Sequence, residues 1–183
     1  MDTLWRTTLW SQFGAAIDTL ENALLACPDA LWHQRLWSVP ADDPVPPDIA
    51  AYWYLIYHAL FWLDYYLSDA PQDFAPPAPF TLAEFDPAGV LPERPYTREE
   101  LHTYLTYARQ KCQSTLAALT DERARQPIDF WGNGQTMSRF EWQLYNMRHV
   151  QEHASQLHLL LGQHAIPVAG GWVARARDIS GSQ

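Results

Sequence analysis

The stretch RHVQEHASQLHLLL, residues 148–161, decides how this chain is read. Its apolar residues recur at the three- and four-residue spacing of an amphipathic helix. Two of its histidines, His149 and His153, stand four apart. On a helix that spacing puts both imidazoles on one face, with Cβ atoms about 5–6 Å apart. Two rings so placed can grip one metal ion through bonds of about 2.0–2.1 Å. With His149 at zero and about 100° per residue, His153, Gln156, Tyr145 and Glu152 all fall within about 60° of it. His158 falls on the opposite side and cannot join the pair.

Upstream, the run IAAYWYLIYHALFWL, residues 49–63, is apolar nearly all round, which predicts a helix buried on most sides. It contains one imidazole, His58. Around the helix axis His58 is flanked by Tyr54, Trp62 and Tyr65, and a neutral ring in that apolar wall needs a polar partner. Asp64 projects elsewhere, about 120° away. If His58 met the His149–His153 pair, three corners of a tetrahedron would be filled and the fourth left to water or substrate.

Working outward, four long helical patterns emerge. The first spans about Thr3–Ala26 and ends at Cys27-Pro28-Asp29. The second is expected from an Asp48 N-cap, after a proline-broken loop, to about Ser68. The third opens on a Thr97–Glu100 capping box and runs to about Leu119. The fourth opens on Ser138 with Glu141 and runs to Leu161, with Gly162 as its stop. Between the second and third helices, residues 70–96 are too dense in proline to stay helical. Phe74, Phe80 and Phe85 predict that this excursion packs down onto the body. DFWGNGQTMS, before the fourth helix, has the turn residues of a small hairpin. The expected fold is therefore all-α: a four-helix bundle with long crossover connections, one domain over residues 1–166, and a loosely ordered tail over 167–183.

Composition narrows the partners. The net charge is −9, and Lys111 is the only lysine. A phosphate backbone is held by clustered basic side chains, which this chain lacks, so nucleic acid is not expected. No apolar run reaches the roughly 20 residues of a membrane span, and no secretory signal opens the chain. Cys27 and Cys112 form no CxxC, which points to a reduced, cytoplasmic protein with Cys112 buried. The nine tryptophans and nine tyrosines exceed what one small core hides, and a homodimer is expected to cover the surplus.

The histidines admit blander readings as well. A lone HxxxH is common on helix surfaces, and a lone histidine in an apolar helix is more often a hydrogen-bonded core residue. A di-iron carboxylate bundle needs Glu-x-x-His on two helices and further glutamates on two more; Glu99 with His102 is the one match, at a helix start. His33, His102, His158 and His164 are read as ordinary.

The run YNMRHVQEHASQLHLLLG (145–162), with YHALFWLDYYL (57–67) upstream, resembles the DinB-like superfamily of small four-helix-bundle proteins. Its pattern is one histidine on the second helix and His-x-x-x-His on the fourth, followed closely by Gln-Leu. Here these positions hold His58, His149, His153 and Gln156-Leu157. The resemblance implies a divalent metal, usually zinc or nickel, on those three imidazoles, and a frequent homodimer. It also implies kinship with transferases or isomerases that use low-molecular-weight thiols such as bacillithiol or mycothiol.

The leading expectation is a metal-dependent enzyme on a small molecule, a thiol S-transferase or a hydrolase. Glu152, Tyr145, Gln156 and Tyr65 are the candidates to orient the ligating rings. The alternatives are a non-catalytic metal- or ligand-binding bundle and a plain structural bundle whose histidines belong to the core.

Overall fold

The structure is a computed structural model that describes residues 4–68 and 71–177. Five α-helices carry it: α1 (Leu4–Ala26), α2 (Tyr52–Tyr66), α3 (Arg98–Ala118), the short α4 (Asp121–Arg125) and α5 (Arg139–Gln163). The four long ones are the four read from the sequence. Among the described residues, none is long and apolar enough to cross a membrane. α1 packs against α3 and α5, and so does α2. α1 and α2 thus lie across the diagonal of the bundle. The chain between them must pass over an end, which is why that connection is long.

The start of α2 differs from its expectation. Asp48 is not the cap. It lies in a 3₁₀ turn, Pro47–Ala50, and pairs with exposed Arg35 at 2.6 Å. Ala51 is extended (φ −70°, ψ 146°) and bridges Arg35, so the helix begins only at Tyr52. The first amide groups of a helix have no partner within it. Here the carbonyls of Gln34 and Trp32 accept from Tyr52 N and Trp53 N, at 2.9 and 3.1 Å. A tertiary clamp replaces a side-chain cap, and spacing along the sequence does not reveal it.

α3 opens as read: Thr97 Oγ1 accepts from Glu100 N, and the Glu100 side chain accepts from Thr97 N. Ser138 likewise accepts from Glu141 N at the head of α5. The hairpin is β1 (Pro127–Ile128) against β2 (Met137–Ser138), antiparallel. The Asp129 carboxylate gathers its loop by accepting from Asn133 N and Gly134 N.

α5 runs two residues past its expected end. Gly162 stays helical, and the reversal falls at Ala165, which takes φ 57°. Ile166 N reaches Leu161 O and Ala165 N reaches Gly162 O, the paired bonds of a Schellman ending. An L-residue with a Cβ is disfavoured in this left-handed region. Ala165→Gly is therefore expected to stabilise the protein by about 0.5–1 kcal/mol. A shift of the urea midpoint with an unchanged slope would register it.

The tail is the larger correction. Residues 178–183 lie outside the described residues, but 171–177 are tied to α1. Ala176 N donates to Ser11 O, and Arg177 N donates to Asp18 Oδ2. Asp18 is fully buried and also pairs with Arg109 of α3 at 3.0 Å. A buried carboxylate of this kind needs every donor it can find, and the tail supplies one. Gly14 permits the approach, since a Cβ there would lie 2.5 Å from Ala176 Cβ.

The proline-dense excursion does pack down. Phe80 stacks on Tyr104, with centroids 4.3 Å apart, and Phe85 and Phe74 meet Tyr65 and Phe61. Cys112 is buried as read, and desolvation drives its thiol pKa upward, so no reactive thiolate forms there.

Candidate metal centre

α2 is buried along its whole length except for one stripe: His58, Trp62 and Tyr65. These residues are four and three apart, so they share a face. That face turns toward α5, and the three histidines of the sequence reading come together there. The His58 ring centroid lies 5.3 Å from that of His149 and 4.8 Å from that of His153. One donor nitrogen from each ring lies within 4.8 Å of the other two.

The Nε2 atoms of His149 and His153 are 3.1 Å apart. Two ligands on a tetrahedral ion with bonds of about 2.0–2.1 Å would sit about 3.3–3.4 Å apart, so the pair is set at nearly ligating distance. His58 has Nδ1 hydrogen-bonded to Glu84 Oε2 at 2.8 Å, which leaves Nε2 as its free donor. His153 Nδ1 is hydrogen-bonded to Gln156 Oε1 at 2.9 Å. His149 Nδ1 is buried without a hydrogen bond. Among the described residues, no fourth histidine, cysteine or carboxylate joins the group.

Electrostatics favour neutral rings. Burial, and then repulsion from His153 and His58, pushes the His149 pKa down to about 3. Burial and His58 lower that of His153 as well. Neutral imidazoles are the form that binds a metal. The donor set fits a borderline transition ion such as zinc or nickel better than an oxygen-seeking ion such as magnesium or calcium. These three residues can hold a metal ion.

The remaining candidates separate. Gln156 reaches the site. Tyr145 stacks on Trp142 and meets Tyr66, whose ring in turn contacts His149 at 5.9 Å. Tyr65 sits among Phe74, Phe85 and Phe130, one layer behind Trp62. Glu152 is exposed and acts on His153 through its charge alone. The bland histidines find ordinary partners: His158 bonds Thr19 O and His102 bonds Glu21. Glu99 and His102 therefore build no di-iron site. Asp64 is buried on another face of α2, held by Lys111 at 2.6 Å and by the Tyr104 hydroxyl.

Sequence reading missed Glu84. It stands in a 3₁₀ turn of the proline-dense excursion, Ala83–Phe85, with a side chain only 4% exposed. Its Oε2 accepts from Trp62 Nε1 as well as meeting His58, both at 2.8 Å. Burial pushes its carboxyl pKa up. The hydrogen bond with His58, that ring's charge and the donors from Tyr54 and Trp62 outweigh burial and hold it below the usual carboxylate range. The one signal in the sequence was an acid lying between two phenylalanines, Phe80 and Phe85, already expected to pack down.

A bundle in which two adjacent helices aim three imidazoles at one point defines a class: helical proteins with a three-histidine centre able to hold a divalent ion. The chain belongs to the DinB superfamily, whose profile matches residues 12–157, well over half of its length and including all three histidines. No curated protein and no solved structure matches the chain.

Proposed function

We propose that this protein binds one divalent metal ion through His58, His149 and His153 and uses it as an enzyme on a small molecule, with a low-molecular-weight thiol or water as the reacting partner. The observation that carries this reading is the convergence of three imidazoles with, among the described residues, no fourth histidine, cysteine or carboxylate in the group. When bound, such an ion supplies Lewis acidity, which draws down the pKa of a water or thiol in its remaining position.

The chain's own residues do the rest. Gln156 fixes the tautomer of His153 by engaging Nδ1, so Nε2 faces the centre. Trp62 packs beside His58 and Tyr66 beside His149, and these rings limit water on that side. The partial exposure of His58 supports access from solvent, as turnover requires.

Elemental analysis of protein purified without chelator is expected to find close to one zinc or nickel per chain. A screen of thiol-dependent transfer and of hydrolysis on that protein then tests catalysis. Protein that takes up no divalent ion at micromolar zinc would refute the metal reading. A full complement of metal with no turnover in either screen would favour a non-catalytic metal-binding bundle.

A further inference from the structure

Among the described residues, Glu84 is the carboxylate that backs the histidine cluster from outside, through His58 Nδ1, and it comes from the proline-dense excursion, not from a bundle helix. The hydrogen bonds with His58 and Trp62 converge on Oε2, and Oε1 is buried without a partner. Among the described residues, no lysine or arginine pairs with it; its one basic contact is His58. A carboxylate this buried is costly unless positive charge lies near. His58 supplies a donor at Nδ1. An ion on the far nitrogen of the same ring would supply the charge.

We propose that Glu84 is a positioning residue that sets the metal affinity of the centre and, by doing so, couples metal binding to the docking of the segment around it. This inference rests on the metal reading above. The carboxylate holds the proton on His58 Nδ1, turns Nε2 inward and raises the basicity of the ring toward the ion. Trp62 Nε1 fixes the carboxylate in turn, so Trp62 and His58, one turn apart on α2, share a single anchor. Phe85, the next residue, packs on Trp62 and Tyr65 with centroids 5.7 and 4.7 Å apart. Drawing Glu84 toward a charged His58 side therefore presses the same turn onto the aromatic stripe. The coupling is reciprocal: whatever the ion gains from a docked Glu84, the segment gains from the ion.

The test is a chelator-competition titration of zinc on wild type, Glu84→Gln and Glu84→Ala, with Glu93→Gln as control. Glu93 lies in the same segment and is exposed. Glutamine keeps an acceptor and removes the charge. Affinity is expected to fall about 10-fold for Gln and toward 100-fold for Ala, and to stay unchanged for the control. The visible bands of the cobalt-loaded protein should shift in Glu84→Gln, which a purely structural role would not produce. Because these variants can unfold, hydrogen exchange of wild type with and without zinc is the companion measurement. Residues 81–86 should slow on zinc addition more than the α1–α3 contact does. Equal zinc affinity in wild type and Glu84→Gln, or exchange at 81–86 indifferent to zinc, would overturn the proposal and leave the metal reading intact. Wild type that binds no zinc would remove both.

Discussion

His149→Ala is expected to abolish stoichiometric metal binding while leaving the bundle folded. The ring supplies one of three donors, and the two that remain come from different helices. Loss of a direct ligand should exceed the ~100-fold upper end of what an outer partner costs. The fold should survive because the metal-free ring does little for it: the His149 Nδ1 atom is buried and unbonded, an arrangement that costs free energy. His158→Ala is the control. That ring lies across the helix, where it bonds Thr19 O, and its loss should leave metal content unchanged. Elemental analysis with far-UV circular dichroism reads both outcomes. A His149→Ala protein that keeps a full equivalent of metal would refute the ligand assignment.

The second large effect is on acid stability without metal. The folded His149 ring protonates only near pH 3, whereas in the unfolded chain a histidine does so near its ordinary 6.5. Between those values the unfolded chain takes a proton that the folded one refuses. The stability tied to this ring is thus complete above about pH 6.5 and declines as pH falls toward 3. Each pH unit is worth about 1.4 kcal/mol per group; across the window the loss is on the order of 4 kcal/mol, and His153 adds in the same direction. Urea unfolding in chelator at pH 7, 6 and 5 should show the decline. That range stays above the titration of ordinary carboxylates. His149→Ala should flatten the slope, and an equal slope in the variant would assign it to other groups. With metal bound the dependence should steepen, since protons compete for the same nitrogens.

What was legible in the sequence follows from where the information is local. The four long helices and the His149–His153 pair are written in periodicity, because a helix face is fixed by spacing along one segment. His58 could be named because it is the one imidazole in a run otherwise apolar on every side. Its meeting with the pair is a tertiary fact: the residues raised it as a condition, and the family resemblance made it an expectation. Glu84 was passed over for a plain reason: the excursion carrying it has no period, so beyond its place between Phe80 and Phe85 nothing in the sequence states that its side chain turns inward. Ala51 and Ala165 escaped in a similar way. The first is held extended by backbone partners about fifteen residues earlier, and the second adopts a conformation that its side chain argues against. The 171–177 stretch, small and polar, reads as slack until the buried Asp18 it serves is located.

The seam between that stretch and α1 makes the chain's far end a keystone of the bundle. Cutting the protein at residue 166, just past the end of α5, would strip Asp18 of Arg177 and leave Arg109 without the Arg177 carbonyl it holds at 2.8 Å. It would also open the groove over Gly14, where α1 has no side chain of its own to close it. A boundary drawn where the shared family pattern stops, at residue 157, would cut the last turns of α5 as well and remove the piece that locks its first helix in place.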